Sequence, residues 1–518
     1  GSGAQAGRRL TGRRVLAVAR RDPVARRIVR EVPGAYPGVY TKGPGRWQVS
    51  YFSRAKPPKE VAQLYVDDAT ARVTEAWTGY KVAWTMARGY EGAFGRKVNA
   101  PWIWIPMTVL FLLPFVRVRG VRFDLVVLAA FGVSVAFFNA AEVDTSVPIV
   151  YPLLGYLLGR ALWIGLRRRD AERVRGPLKL LVPVSVLAIG VVFLLGFRVA
   201  LNVTASNVID VGYAGVIGGD KLAAGEPLYG TFPRDNAHGD TYGPVTYAAY
   251  VPFVKAFGWS GRWDGDLPAA HGAAVAFDLL ACFLLFVIGR RLRGPTLGVV
   301  LAYLWVAFPF SLYVLMSNSN DALVAVFVLL ALFVAASAPA RGAAVALGGL
   351  TKFATLALAP LFAMHDLRRT RARGLLAFAA SFAVVAGIAM APVVLQGEEL
   401  RTVYDRTLGF QASRGSPFSV WGLYDLPRLQ QVWQGVSVLL AVALALVPRR
   451  RDVVGLAACA AAIVIALQAG VTHWFYLYIV WFFPLLAVAL FARYEEPGTP
   501  ASAGEPSQAI SSGSIAVA

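Results

Sequence analysis

The chain has 518 residues, of which 57% are hydrophobic and only 16% are charged, yet its formal net charge is +21. So few charges cannot cover the several water-soluble domains that this length would otherwise predict. A nucleic-acid-binding protein would also be basic, but it would not carry repeated apolar runs of about 20 residues, the length that crosses a bilayer. The composition therefore predicts a polytopic membrane protein with basic cytoplasmic loops. Both cysteines, Cys282 and Cys459, lie inside apolar runs, which excludes a disulfide framework and a Cys-rich metal site.

The first hundred residues contain no membrane span and predict a small α+β domain outside the cytoplasm. We divide them into a basic N-terminal segment, 1–20, and the domain itself, 21–98. Within the domain, residues 22–32 predict a basic helix, 47–51 alternate like a strand, and 61–77 predict two strands joined by an Asp-Asp turn. Because such a domain must be exported, we expect that a signal or anchor preceded it.

The order of this helix and hairpin, with the segment YVDDATARVTEAW, resembles a PepSY-like extracytoplasmic module. The resemblance covers about 75 residues and implies a role in docking or regulation, so the module could bind an extracytoplasmic protein partner. We find no catalytic group of residues in it.

Eleven apolar runs are long enough to predict membrane-spanning helices. They cover residues 101–116, 123–140, 147–166, 180–200, 269–289, 295–315, 322–338, 375–396, 431–448, 453–470 and 474–492. The first three form an accessory region, 99–179, and the others belong to a core, 180–494, with two long loops, 201–268 and 397–429. The remaining 495–518 are rich in Pro, Ser, Gly and Ala and predict a disordered tail.

Orientation follows from where the basic residues lie. Twenty-one Arg and Lys residues adjoin the ends of the spans on one side, whereas the two long loops of the other side carry only eight. The basic side is predicted to be cytoplasmic. The protein would then lie in the plasma membrane with its N-terminal domain and long loops outside and its C-terminal tail inside.

Residues 342–365 break the alternation of sides, because Arg341 precedes them and a cluster of arginines follows them. A re-entrant pair of short helices, with Lys352 near its tip, would leave both ends on the cytoplasmic side. The alternative is two cramped full spans with Lys352 snorkelling outward. Both alternatives put Lys352 in the outer half of the membrane.

Asp210 lies a few residues beyond the outer end of the fourth span, and Tyr213 follows one helical turn later. A carboxylate at the membrane edge can deprotonate a sugar hydroxyl while the second substrate stays anchored in lipid. Asp is also a favoured N-cap residue, so Asp210 could instead only begin a helix.

Several segments of the core resemble those of the GT-C glycosyltransferases, and in particular the polyprenyl-phosphate-mannose-dependent glycosyltransferase family 87 of actinobacteria. The matching segments are Asp210 with Tyr213, LAAGEPLY at 222–229, TYGPVTY at 241–247, NSND at 318–321, GGLTKFATLALAPL at 348–361, SPFSVWGLYDLP at 416–427 and HWFYLYIVWFFP at 473–484. The resemblance spans about 180–490; the first three spans and the PepSY-like module lie outside it.

The resemblance implies an inverting transfer of a sugar, with mannose expected, from a polyprenyl phosphate to a glycolipid, cell-wall glycan or protein acceptor. Asp210 would be the general base on the acceptor. Lys352, Arg414 and His473 would be the cations that stabilise the leaving phosphate. The other expected substrate-binding residues are Tyr213, Tyr242, Asn318 and Asp321.

Alternatives remain open for several of these residues. His473 could be an interfacial anchor beside aromatic neighbours, and Arg414 a solvated loop residue. Asp321 could cap its helix instead of lining the donor site. Asp220 and Asp240 are second choices for the base.

Asp278 lies inside the fifth span, where an acid suggests function by default, but a structural pairing with a neighbouring helix is as good an explanation. Asp264 and Asp266 form a D-x-D that could bind a metal, although their neighbours favour a turn. We therefore expect no metal and no cofactor. Nucleotide-binding motifs are absent from the sequence, and we expect no nucleic-acid partner.

Two other functions remain open. A transporter or flippase of a lipid-linked envelope intermediate would also have many spans, a broken helix and an intramembrane acid, although we find no paired repeats in the sequence. A non-catalytic envelope-assembly protein would act through the PepSY-like module alone.

Overall fold

The computed structural model describes residues 8–42, 45–55, 58–88, 98–167, 177–263, 267–365, 367–447 and 452–494. The chain is mostly helical, with one small antiparallel sheet near its N-terminus. The predicted tail, 495–518, lies outside the described residues.

The N-terminal region forms a four-stranded sheet covered by two short helices. In chain order it contains α1 (Gly12–Ala19), α2 (Pro23–Glu31), β1 (Tyr36–Thr41), β2 (Arg46–Phe52), β3 (Glu60–Asp67), β4 (Val73–Thr78) and α3 (Tyr80–Arg88). The strands pair in sequence order. The predicted helix, strand and hairpin correspond to α2, β2 and β3–β4, whereas neither α1 nor β1 was predicted.

Residues of the predicted basic segment belong to the same hydrophobic cluster as the sheet. Val15 and Ala19 of α1 are fully buried against it. The carboxylate of Asp68 accepts hydrogen bonds from the backbone N–H groups of Arg9 and Leu10 at 2.7 and 2.9 Å and from the Trp47 indole at 2.7 Å. These contacts tie the start of the described chain to the β3–β4 turn.

The rest of the chain is a helical bundle. Its helices are α4 (Pro101–Leu112), α5 (Arg122–Asn139), α6 (Val143–Leu166), α7 (Val184–Ala205), α8 (Asp210–Ala224), α9 (Pro244–Ala248), α10 (Val251–Phe257), α11 (Pro268–Ala307), α12 (Pro309–Met316), α13 (Asp321–Phe333), α14 (Ala338–Gly349), α15 (Ala359–Met364), α16 (Leu367–Leu395), α17 (Leu400–Tyr404), α18 (Phe410–Ser413), α19 (Val420–Leu423), α20 (Pro427–Leu446), α21 (Val453–Ala469) and α22 (Ile479–Phe491).

Within the described ranges, six helical segments are long and apolar enough to cross a membrane: α5, α6, α7, α11, residues 372–395 of α16, and α20. Five further apolar helical segments are shorter, including those that contain α4, α13 and α21. The predicted count of eleven spans is therefore not confirmed. Part of the difference arises in α11, which joins the two predicted spans 269–289 and 295–315 across a kink. Arg293 and Gly294 are non-helical there, and Gly294 has a φ of 75°, which favours glycine.

Residues 342–365, which break the predicted alternation of sides, fold as a helical hairpin. After α14 the chain breaks at 350–352 and returns through a short 3₁₀ turn and α15. Arg341, 1% exposed near the start of α14, donates hydrogen bonds to the carbonyls of Phe362 at 3.1 Å and His365 at 3.0 Å. Because these contacts join the two ends of the segment, Lys352 lies at the opposite end, at the tip.

A buried ion pair links α7 to α11. Asp278 receives two hydrogen bonds from the guanidinium of Arg198, at 2.5 and 3.3 Å, and one from the Trp305 indole at 2.9 Å. Arg198 also donates to the Val306 carbonyl and the Ser311 hydroxyl, each at 3.1 Å. The intramembrane acid thus has a structural partner on the neighbouring helix.

The accessory helices pack against the core through polar contacts as well as apolar ones. The hydroxyl of Tyr476 lies 2.8 Å from the hydroxyls of both Ser134 in α5 and Ser146 in α6. The Trp84 indole of α3 donates to the Phe138 carbonyl at 2.6 Å. Helix α3, which follows the sheet, and the segment that carries Tyr476 therefore both contact α5.

Candidate functional site

Lys352 lies in a pocket of acidic and aromatic side chains. Its ammonium is 2.6 Å from Asp321 Oδ1, and the pair is almost completely buried. The ammonium also lies 5.1, 5.7 and 5.0 Å from the ring centroids of Tyr242, Tyr478 and Trp481. This cage satisfies the buried cation through one carboxylate and three π faces.

The first residues of α9 and the preceding Gly243 hold the tip of the hairpin in place. The backbone N–H groups of Gly243 and Val245 donate to the carbonyls of Thr351 and Leu350 at 3.2 and 3.1 Å, and the Thr246 hydroxyl donates to Thr351 at 2.7 Å. The TYGPVTY segment therefore positions the residue that precedes Lys352, so two of the segments that carry the family resemblance are in direct contact.

Polar atoms next to Lys352 remain unpartnered. Asp321 Oδ1 accepts from both Lys352 and the Trp481 indole, at 2.6 and 2.9 Å, but Oδ2 has no hydrogen bond. The amide oxygen and nitrogen of Asn320 are also buried without a partner, and both residues are 0% exposed. Buried polar groups are nearly always hydrogen-bonded, so these atoms are available to a ligand or to water.

Asp210 begins α8 and keeps an exposed surface. Ile209 occupies the N-cap position of the helix and Asp210 is its first residue, where its carboxylate still interacts with the backbone N–H groups of the first turn. The protein around the carboxylate desolvates it and raises its pKa, while Arg414, the backbone N–H groups at the start of the helix and Lys352 act in the opposite direction. A carboxyl group with a raised pKa is a stronger base than an ordinary one.

Arg414 is half-buried and makes no hydrogen bond or ion pair with the residues that the structure describes. Its charge nevertheless acts on Asp210, Tyr242 and His473. Burial, followed by the charge of Asp210, raises the pKa of the Tyr242 phenol well above its ordinary value. Arg414 is therefore a cation whose charge acts on the Asp210 carboxylate and whose guanidinium is not committed to another side chain among the described residues.

His473 lies in an aromatic environment that does not favour a positive charge. Its Nδ1 lies 2.9 Å from the Ser416 hydroxyl, and its ring is between those of Phe418 and Phe475, with centroids 5.5 and 6.5 Å away. Burial, and then the charge of Arg414, lower its pKa well below the ordinary value. The surroundings of His473 therefore favour the neutral imidazole over the expected cation.

Two of the expected binding residues are engaged elsewhere. The Tyr213 hydroxyl donates to Asp235 at 3.2 Å, and the ring stacks on Trp263 with centroids 4.9 Å apart. The Asn318 amide accepts from Asn202 at 2.8 Å and donates to Ser206 at 2.9 Å, which joins the α7–α8 connection to that between α12 and α13. These contacts indicate that Tyr213 and Asn318 support the elements around the site.

Asp240 and Asp220, the second choices for the general base, lie in different environments. Asp240 is paired with the Arg406 guanidinium through two hydrogen bonds of 2.7 Å and accepts from the Gly230 N–H at 2.6 Å. Its negative charge is therefore already balanced by Arg406. Asp220 is half-buried in α8. Asp264 and Asp266 lie outside the described residues, and among the described ones no group of three His, Cys, Asp or Glu side chains could hold a metal.

Sequence reasoning did not single out Asn320, Tyr478, Trp481 or Arg198. Three of them lie inside segments that carried the family resemblance, NSND and HWFYLYIVWFFP, so the segments contained the signal but not the individual roles. Arg198 lies within the fourth predicted span, where an isolated arginine predicts a buried acidic partner.

Comparison with known proteins does not identify the chain. No protein-family model matches the sequence, and no curated protein matches it either.

Proposed function

We propose that the protein is an integral membrane glycosyltransferase that moves a sugar, with mannose expected, from a polyprenyl-phosphate donor to an extracytoplasmic acceptor. The observation that carries this proposal is that the charges of an uncommitted guanidinium, Arg414, and of Lys352 both act on the Asp210 carboxylate, whose pKa the surrounding protein raises. A base and a cation that act on each other suit a displacement in which one substrate loses a proton and the other departs as an anion.

The proposed reaction is a direct displacement. The acceptor hydroxyl attacks the anomeric carbon, its proton passes to Asp210, and the bond from that carbon to the phosphate oxygen breaks with inversion. Polyprenyl phosphate leaves with both electrons of that bond. Arg414 would bind the departing phosphate, because the charge of Lys352 is already balanced by Asp321 at 2.6 Å. His473 would donate a hydrogen bond as a neutral imidazole. No metal and no cofactor is needed in this scheme.

Two features support a sugar as the ligand. The free amide of Asn320 and the free oxygen of Asp321 can together donate and accept hydrogen bonds, and the rings of Tyr242, Tyr478 and Trp481 surround the Lys352 ammonium that pairs with Asp321. A mixture of aromatic faces and paired polar groups suits a hydroxyl-rich ring. The transporter hypothesis loses one of its grounds, because Asp278 is held by Arg198.

The test is transfer of radiolabelled mannose from polyprenyl-phosphate-mannose in proteoliposomes. Asp210→Asn should lower transfer by at least about 100-fold, the range for loss of a general base. The matched control is Glu226→Gln, which neutralises a carboxylate with 58% exposure in the same outer loop and should leave transfer unchanged. Unchanged transfer in Asp210→Asn with full loss in Asp220→Asn would move the base to Asp220.

Two outcomes would reject the proposal. If the wild-type protein scrambles a labelled polyprenyl lipid across the bilayer and Asp210→Asn does not affect it, the flippase function is favoured. If no variant changes either assay and only loss of the N-terminal module affects envelope assembly, the protein is a non-catalytic assembly factor.

A further inference from the structure

A second pocket lies in the N-terminal domain, apart from the candidate site. A groove of about 790 Å³ runs between α2 and the adjoining parts of β1 and β2. Its volume falls within the range of small-molecule sites, about 300–1,000 Å³. Three arginines line it, Arg20, Arg26 and Arg30, together with apolar residues and Tyr51, and no carboxylate is among the lining residues.

The phenol of Tyr51 is the second observation that points to a ligand. Its side chain is 1% exposed, it lines the groove, and its hydroxyl has no hydrogen-bond partner. A buried hydroxyl without a partner costs stability, and in a groove of this size the partner can be an acceptor that enters from solvent. The hydroxyl therefore faces the groove as an unused donor.

The arginines of the groove make no ion pair with the described residues, and the acid whose charge acts on the Tyr51 phenol is Asp22. The side chains of Arg20 and Arg30 make no hydrogen bond with the described residues, and the Arg26 guanidinium donates only to the backbone carbonyl of Arg21, at 2.6 Å. Asp22 is committed as the N-cap of α2, accepting from Val24 N–H at 2.8 Å, and Glu31 faces Arg27 on the other side of the helix at 3.8 Å. Three arginines, against the single nearby carboxylate of Asp22, thus line a groove that contains one free donor.

We propose that this groove binds the phosphate group of a small ligand. A carboxylate would leave much of the positive charge unbalanced, whereas a phosphate presents several oxygens in directions that can accept from three guanidinium groups and a phenol at once. The apolar lining residues, among them Ala25, Val29 and Pro37, then contact the carbon atoms next to the phosphate. A free phosphate ester and a phospholipid head group share this chemistry. The proposal is independent of the transfer reaction above.

The test uses the full-length protein in nanodiscs of phosphatidylcholine, with binding of glycerol 3-phosphate measured by calorimetry. Arg30→Gln should weaken binding at least about tenfold, because it removes a charge-assisted hydrogen bond. Tyr51→Phe should weaken it about fivefold and should not lower the unfolding temperature, because the hydroxyl has no partner in the free protein. The matched control is Arg27→Gln, which removes the same charge from the same helix but outside the groove.

Repeating the titration in nanodiscs that also contain phosphatidylglycerol distinguishes the two sources of phosphate. Competition by the anionic lipid supports a head-group site, and unchanged affinity supports a site for a soluble ester. Equal weakening in Arg27→Gln and Arg30→Gln would show that only the general surface charge attracts the anion and would overturn the proposal. Absence of binding by the wild-type protein, or no effect of Tyr51→Phe, would overturn it as well.

Discussion

Replacing Asp278 with alanine is expected to destabilise the protein severely, because Arg198 is 0% exposed and would keep its charge without a counter-ion. Removing one partner of a buried pair costs about 3–5 kcal/mol. The Trp305 indole would lose its acceptor too, at about 1–3 kcal/mol. The two losses occur at one site and do not simply add, so we expect a total of about 4–6 kcal/mol.

The double variant Arg198→Met with Asp278→Leu separates charge burial from packing. It removes both charges from an environment where their desolvation is costly, so it should recover about 2–4 kcal/mol of the loss. The matched control is Asp405→Ala, which breaks the ion pair between Arg401 and Asp405. The side chains of this pair are 87% and 60% exposed, respectively. Exposed pairs contribute little, so the change there should stay below about 1 kcal/mol.

The measurement is reversible unfolding in mixed micelles of a mild detergent and dodecyl sulfate, with the free energy of unfolding compared across the four proteins. The reasoning is refuted if Asp278→Ala is no more destabilising than Asp405→Ala. It is also refuted if the double variant is as unstable as the single one, since the cost would then lie in the shape of the site and not in its unpaired charge.

Three further predictions concern the candidate site. Transfer should decline as pH falls through a pKa above about 4, the ordinary carboxyl value. The reason is that burial raises the pKa of Asp210 and only its deprotonated form accepts a proton. A decline centred at or below the ordinary carboxyl value in the pH profile of kcat/KM would contradict this prediction. The same profile should show no step near the ordinary histidine value, because the lowered pKa of His473 keeps it neutral. Gly243→Ala should abolish transfer and destabilise the fold by about 1–3 kcal/mol, since its Cβ would overlap the Leu350 carbonyl at the hairpin tip. Gly435→Ala, whose Cβ would meet no atom within 4 Å, is the control, and equal unfolding free energies and transfer rates in the two variants would count against the contact.

Features that depend on neighbours along the chain were predictable. The apolar runs predicted helices with membrane-spanning length, and the alternation at 61–77 predicted the β3–β4 hairpin. Charge on both sides of 342–365 predicted that both ends of this segment lie together, and Arg341 near its start contacts Phe362 and His365 near its end. The count of spans was less predictable, because apolar composition alone does not reveal where a helix stops or where a kink joins two runs into one, as at Gly294.

The sequence by itself determined the apolar, helix-rich class of the protein and the segments in which the polar residues of the core would lie. Only the tertiary structure decided their partners: Arg198 for Asp278, Asp321 for Lys352, and none for the Asn320 amide. The members of each pair are 80 and 31 residues apart in the chain. Such pairings depend on which helices pack together, and helix packing is set by the shapes of whole side-chain surfaces, whereas hydropathy and charge patterning report only the environment of each helix.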